Sequence, residues 1–165
     1  MRKYILIVVF LLLVSLPLNA LIATGLKGGM DYQMFGNGET NSEWWPSFGI
    51  YAEINLPVLP IAFRGEAGYA WHSQDDTTSS DMNVIISGKY SISPPLSPIG
   101  FYLGAGPGMH RFTVGDLDSK VYFGAHVYTG LHIKMGFNLF IEGGYGMIFR
   151  DPSWNQLNLK LGLGI

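Results

Sequence analysis

The sequence contains no cysteine and few charged residues for its length. Without cysteine there can be no disulfide framework, no thiolate metal site and no lipidated N-terminal cysteine. Charged residues make up only 13% of the chain and form no basic patch, so nothing in the composition favours binding to nucleic acid. The chain is instead rich in glycine and aromatic residues, which is typical of a glycine-rich β-sheet.

The first twenty residues have the organisation of a secretory signal peptide. Arg2 and Lys3 precede an apolar run from Tyr4 to Leu16, and the segment ends on the small residue Ala20. We expect cleavage after Ala20; a retained anchor helix is the alternative, which the shortness of the run disfavours. The remaining residues, 21–165, contain no second apolar run long enough for a spanning helix and are expected to form one domain.

Beyond Leu21, apolar residues recur at every second position, which is the period of a β-strand. Each segment of alternating residues is about 10 to 13 residues long, the length that a tilted strand needs to cross a bilayer. The eight segments are Ile22–Gln33, Ser47–Leu56, Ile61–His72, Met82–Ile92, Gly100–Phe112, Val121–Ile133, Asn138–Phe149 and Gln156–Ile165. The pattern predicts an all-β protein, an eight-stranded antiparallel up-and-down transmembrane barrel without helices.

The connections between these segments alternate in character. Those after the odd-numbered segments are longer or more polar: Phe35–Pro46, Ser73–Asp81, Thr113–Lys120 and Arg150–Asn155. The others are short or proline-rich. Long outer loops and short periplasmic turns are the pattern of outer-membrane barrels, and an even number of strands returns both termini to the periplasm. We therefore predict an integral protein of the cell outer membrane.

Alternation alone also fits a soluble, ligand-carrying barrel, so the charges must decide which face is outside. The face opposite the aliphatic residues is too sparsely charged for a surface in water, so we place it inside the barrel. The predicted lumen charges are Lys27, Arg64, Lys89 and Lys160 against Asp31, Glu53, Glu66 and Glu142. A balanced set is expected, because burying an unpaired charge is costly.

Aromatic residues suggest how the lumen is filled and where the membrane boundary lies. If segments five and six pair about the middle of their loop, Tyr102 lies opposite Gly130 and Gly104 opposite Tyr128, so rings lie over glycines. A side-chain-filled lumen follows, which disfavours an open pore. The residues predicted as interfacial aromatics are Trp44, Trp45, Trp71, Tyr90, Phe101 and Tyr145. For Trp44 and Trp45, a surface for a partner is the alternative to membrane anchoring.

Five segments carry a resemblance to a known family: GLKGGMDY (25–32), FRGEAGYAW (63–71), YLGAGPG (102–108), FIEGGYG (140–146) and LNLKLGLGI (157–165). In these segments the chain resembles the small outer-membrane β-barrels that include the membrane domain of outer-membrane protein A and its porin-like eight-stranded relatives. The resemblance implies a barrel that contacts outer-membrane lipid and is inserted by the barrel assembly machinery. It implies nothing about activity.

Residues with catalytic or metal-binding chemistry are few. Four histidines fall on the lumen face: His72, His110, His126 and His132. His126 and His132 lie on one strand about 20 Å apart, too far to share an ion, so we expect packing roles, no metal and no cofactor. A lipid-modifying enzyme needs a serine within reach of a base, and Tyr128 stands where that serine is expected. No catalytic residue is therefore predicted.

The outer connections are acidic. They contain Glu39, Glu43, Asp75, Asp76, Asp81, Asp116, Asp118 and Asp151 against Lys120 and Arg150. These carboxylates are interpreted either as ligands for divalent cations or, preferably, as solvated loop residues. The function expected from the sequence is a non-catalytic, monomeric barrel with a structural or surface-interaction role. Porin-like passage of small solutes is the first alternative and a lipid-modifying enzyme the second.

Overall fold

The computed structural model describes residues 22–35, 42–56, 59–74, 77–94, 97–115, 119–152 and 154–165. These residues form eight strands: β1 Ile22–Phe35, β2 Ser42–Asn55, β3 Ile61–Gln74, β4 Thr77–Ile92, β5 Ile99–Val114, β6 Lys120–Lys134, β7 Asn138–Ile148 and β8 Trp154–Gly164. Within them no helix is long and apolar enough to cross a membrane. The predicted signal peptide, residues 1–20, lies outside the described residues.

The strands form a closed barrel in chain order, and the predicted fold class is confirmed. Every strand pairs antiparallel with the next, and β8 returns to pair with β1. At this seam the Thr24 and Ile165 backbones exchange two hydrogen bonds, of 3.0 and 2.9 Å. Because the sheet closes on itself, none of the eight described strands is an edge strand. The start of β1 and the end of β8 lie at the same rim.

The two faces of the sheet are inverted relative to those of a water-soluble protein. Outward positions hold large apolar side chains, of which Leu26, Ile86 and Leu161 are each more than 60% exposed. Inward positions hold nearly all the buried charged residues. An apolar exterior around a polar interior is stable where the surrounding medium is itself apolar, as in a bilayer.

The predicted difference in connection length between the two rims is wrong. β2 begins at Ser42 rather than Ser47 and β4 at Thr77 rather than Met82, so the strands run on into the predicted loops. The connections left at that rim are 36–41, 75–76, 115–119 and 149–153, against 56–60, 93–98 and 135–137 at the other. Backbone hydrogen bonds carry the ladder, so serine and threonine extend it without an apolar pattern that sequence analysis could detect.

The predicted register of β5 and β6 is confirmed. Tyr102 pairs with Gly130 and Gly104 with Tyr128. A Cβ atom on Gly104 would lie 2.3 Å from Cζ of Tyr128, and one on Gly130 would lie 2.5 Å from Cζ of Tyr102. The tyrosine rings therefore occupy the volume that side chains at these two glycines would need.

This packing yields a first prediction. Gly104→Val should lower the free energy of unfolding by about 1 to 3 kcal/mol, because the new side chain overlaps the ring of Tyr128. Gly65→Val is the matched control, since a Cβ atom there meets no atom within 4 Å. Urea unfolding of the barrel in lipid vesicles measures both variants. Equal destabilisation by the two would contradict the assigned packing of Tyr128.

Candidate functional site

The candidate site is the barrel interior, because its buried charged and titratable side chains converge there. The structure places all eight predicted lumen charges inside the barrel and buried. Six of them form one connected ion-pair network: Lys27, Glu53, Arg64, Glu66, Lys89 and Glu142. The other two, Asp31 and Lys160, pair separately, with Lys160 Nζ 3.2 Å from Asp31 Oδ1.

Arg64 on β3 is the centre of the ion-pair network. Its Nε and Nη2 both lie 2.7 Å from Oε1 of Glu53, and its Nη1 donates to Glu142. Lys89 donates to the second oxygen of Glu53. Lys27 Nζ donates to Glu66 at 2.6 Å and to Glu142 at 3.1 Å. Each carboxylate of the network is therefore neutralised by at least one cation from another strand.

Four aromatic rings surround the Arg64 guanidinium and form a tyrosine layer: Tyr51, Tyr102, Tyr128 and Phe140. The distances from the guanidinium carbon to the ring centroids run from 5.0 to 5.6 Å. Tyr102 also donates a hydrogen bond of 3.0 Å to Glu142. The rings attract the cation but also exclude water from it, which makes Arg64 depend on its two glutamates. The sequence predicted Tyr102 and Tyr128 inside the barrel but not that these rings surround Arg64.

A second polar group, the histidine chain, consists of Asp81, His110 and His126. His110 Nδ1 lies 2.9 Å from Oδ2 of Asp81, and His110 Nε2 lies 2.9 Å from Nε2 of His126. Asp81 was predicted in an outer loop. The structure corrects this placement, because Asp81 is an inward-facing, fully buried residue of β4.

The histidine chain could not be found from spacing along one strand. His110 is on β5 and His126 on β6, and their rings meet across Gly108, where a Cβ atom would lie 2.7 Å from Nε2 of His126. Gly108, whose missing side chain leaves room for the His126 ring, was the sequence feature that could have indicated this contact. The other two histidines are elsewhere: His72 lies 3.4 Å from Glu43, and His132 lies 3.3 Å from the Ser93 hydroxyl. In the ranges that the structure describes, no three His, Asp or Glu side chains are grouped to bind a metal.

The predicted interfacial aromatics divide between the two faces. Trp44 is exposed on the outer face and contacts Tyr32, with ring centroids 4.9 Å apart. The prediction for Trp45 is corrected: it is 3% exposed, inside the barrel, because neighbouring residues of one strand face opposite sides. The remaining four face outward, with Trp71 beside Tyr69 and Tyr145 donating to Asn155. Tyr90 and Phe101 are exposed near the opposite rim.

Trp45 belongs to an aromatic cap that fills the lumen near the rim opposite the chain ends. The cap consists of Trp45, Ala70, Phe112, Ile148 and Trp154, with Tyr122 packed against it. Phe112 stacks on Trp154 with ring centroids 3.7 Å apart, and Trp154 donates a 2.8 Å hydrogen bond to Gln33. Above it, the Arg150 guanidinium lies 5.4 Å from the Trp154 and Tyr122 ring centroids. The lumen is thus filled at this level by packed rings.

Of the acidic loop residues, the structure describes three. Asp81 is inside the barrel, Glu43 is partly buried at the rim, and Asp151 is exposed. Glu39, Asp75, Asp76, Asp116 and Asp118 lie outside the described residues. Binding of divalent cations by the acidic connections therefore stays a prediction.

Solved outer-membrane barrels have the same fold. Neisserial surface protein A aligns with a TM-score of 0.76 at 17% identity, over 87% of this chain and 96% of that one. The attachment invasion locus protein Ail of Yersinia pestis gives 0.57 at 10%, over 88% and 97%. The outer membrane enzyme PagL gives 0.53 at 14%, over 87% and 98%.

No protein-family model matches the chain, and no curated protein matches it in sequence. At the level of fold, the resemblance to small outer-membrane barrels is confirmed. These structural relatives include both enzymes and proteins that are not described as enzymes, so the fold leaves activity open.

The geometry of Arg64 generates a second prediction. Arg64→Met should lower the free energy of unfolding by about 3 to 5 kcal/mol, because Glu53 and Glu142 lose their shared cation inside the barrel. Adding Glu142→Gln should recover part of that loss, since one unpaired charge is then removed. A double-mutant cycle in urea gives the coupling. Strictly additive effects would contradict a direct Arg64–Glu142 interaction.

Proposed function

We propose that the protein is a non-catalytic, monomeric barrel of the cell outer membrane that holds its polar rim at the cell surface. The observation that carries the proposal is the inverted distribution of side chains around a closed barrel, with apolar residues outside and paired charges inside. Outer-membrane lipid and the barrel assembly machinery are its expected partners. The likeness to solved outer-membrane barrels supports this location.

The proposed orientation follows from the two rims. The start of β1 and the end of β8 share one rim, which we assign to the periplasm. At the opposite rim, β3 and β4 continue with polar pairs such as Ser73 with Thr78 beyond the apolar band. Polar strand extensions suit an aqueous exterior, so this rim faces outward. The strand ends and the acidic connections at this rim are then the parts of the protein that contact a partner.

The acidic character of these connections points to a cationic partner. Ail was solved with a heparin analogue, a polyanion. Six acidic residues in residues 36–41, 75–76, 115–119 and 149–153 of this chain, against Arg150 alone, would repel such a ligand. Divalent cations or a basic segment of another protein fit this charge better.

Passage of solutes is disfavoured by the filled lumen. The aromatic cap occupies one level, and the tyrosine layer around Arg64 occupies another. An eight-stranded barrel has an interior just wide enough for side chains to fill. We therefore treat porin-like passage as the alternative function.

The first test of the proposal is heat modifiability. Outer-membrane fractions are run on a gel with and without boiling, and the protein refolded in detergent is measured by circular dichroism. A mobility shift together with a strand-dominated spectrum is the expected result. A soluble periplasmic protein with no shift would refute the proposal and favour a ligand-carrying barrel.

A third prediction concerns conductance. In planar lipid bilayers the purified barrel should give no large, reproducible single-channel steps, because packed side chains occupy the lumen at two levels. Trp45→Ala combined with Trp154→Ala, which opens the aromatic cap alone, should leave conductance low since the tyrosine layer remains. Large steps from the unmodified protein would establish the porin alternative.

A fourth prediction addresses catalysis. Ser93 and His132 form a serine–histidine contact near the rim that carries the chain ends, and no hydrogen bond joins His132 to a carboxylate among the described residues. A nucleophilic serine needs an oriented base, so we expect no labelling by a fluorophosphonate probe. Ser93→Ala serves as control. Labelling of the unmodified protein that this substitution abolishes would make the enzyme alternative the leading one.

A further inference from the structure

The buried charges inside the barrel do not balance. The described interior holds five buried carboxylates and four buried Lys or Arg side chains: Asp31, Glu53, Glu66, Asp81 and Glu142 against Lys27, Arg64, Lys89 and Lys160. Glu43 and Arg150, both half-buried near the rim, offset one another. Asp81 breaks the balance that the sequence predicted. A surplus charge in a low-dielectric interior is costly unless something neutralises it.

The surplus can be assigned to one residue. Asp31, Glu53, Glu66 and Glu142 each contact a lysine or arginine. Asp81 contacts His110, whose charge depends on protonation. Lys160 is already paired with Asp31, so it is not available to Asp81.

Oδ1 of Asp81 and Oγ of Ser47 are buried, on residues that are 0% and 5% exposed, and neither makes a hydrogen bond of ordinary geometry within the described part of the chain. Oγ of Ser47 also lies near the Asp31 carboxylate. Ser47 pairs with Ala70, and Ala70 pairs with Asp81, so the three residues form one inward-facing row across β2, β3 and β4. The small side chain of Ala70 separates the two oxygens. Leaving buried oxygens unpaired costs stability, which favours a ligand between them.

From these observations we infer that the row Ser47–Ala70–Asp81 is a binding site for one unit of positive charge. Two sources share this chemistry. A proton can be held by Asp81 and His110, or a small monovalent cation such as Na⁺ can bind Oδ1 of Asp81 and Oγ of Ser47. Oxygen atoms are the ligands that hard cations prefer. Either source neutralises the interior.

The groups facing this level of the lumen come from most of the strands. They are Asp31 and Gln33 on β1, Ser47 on β2, Asn83 on β4, His110 on β5, His126 on β6 and Gln156, Asn158 and Lys160 on β8. The paired charges Lys27 on β1, Glu66 on β3 and Glu142 on β7 line the same cavity as His126 and Lys160. β3 contributes Ala70, and β7 contributes Gly146, which lies against the ring of His126. The neutral amides can donate or accept, so they adapt to either source.

The test compares unmodified barrel with Asp81→Asn, which removes the surplus charge at nearly constant volume. Urea unfolding in vesicles is followed by gel mobility in two series. One varies pH from about 5.5 to about 8.5 at fixed salt; the other replaces choline by Na⁺ at fixed pH and ionic strength. If folding takes up a proton, the folding constant should fall as pH rises, by at most about tenfold per unit. If it takes up a cation, Na⁺ should raise it.

In both cases Asp81→Asn should remove the dependence. The double variant Asp31→Asn with Lys160→Met removes one carboxylate together with its paired cation and so keeps the surplus, and it should retain the dependence. A pH effect that depends on Asp81 identifies the proton, and a Na⁺ effect that depends on it identifies the cation. If Asp81→Asn does not fold, His110→Gln and Ser47→Ala replace it, since the first should remove the pH effect and the second the Na⁺ effect. The inference is overturned if Asp81→Asn, or both His110→Gln and Ser47→Ala where Asp81→Asn does not fold, respond to pH and to Na⁺ as the unmodified barrel does.

Discussion

Closure of the backbone ladder is the constraint on which the rest of the structure depends. Eight strands closed through the pairing of β1 with β8 leave no edge strand, but their interior is only as wide as its own side chains. In the tyrosine layer, large rings then lie over glycines, as Tyr128 does over Gly104. Charges that turn inward must meet partners from other strands, because water cannot solvate them there. The ion-pair network and the tyrosine layer are both consequences of this narrow closed cross-section.

The number of strands and eight of the nine buried Asp, Glu, Lys and Arg residues were predictable because both depend on period-two alternation within a strand. Asp81 was missed because it was placed in a loop. The starts of β2 and β4 were not predictable, since polar residues such as Ser42 and Thr77 pair through the backbone without an apolar signal. Trp45 was misplaced because Phe35–Pro46 was taken as a loop, where the alternation of a strand was not applied, whereas β2 already begins at Ser42. The contact between His110 and His126 depends on the register of two strands and on the space above Gly108, which no single segment encodes.

The interior and the rim have separate roles in this molecule. Buried ion pairs contribute little net stability compared with apolar packing, yet losing one partner is strongly destabilising. The interior therefore favours one arrangement of the strands, with packed rings filling the lumen at two levels. The rim and the connections lie apart from this packing, so their composition can vary without disturbing the lumen. This division explains how one barrel architecture occurs in both enzymes and proteins not described as enzymes among its structural relatives.

Glu142 has a further consequence for how the barrel is made. It lies on β7, whereas the cations that neutralise it, Lys27 and Arg64, lie on β1 and β3. A half-built sheet ending before β7 would leave Arg64 and Lys27 each short of one counter-ion. A sheet lacking β1 would leave Glu142 with Arg64 alone and Glu66 without its lysine. The ion pairs are thus complete only when the barrel contains β1, β3 and β7. These ion pairs therefore favour the finished barrel over partial sheets that lack β1 or β7.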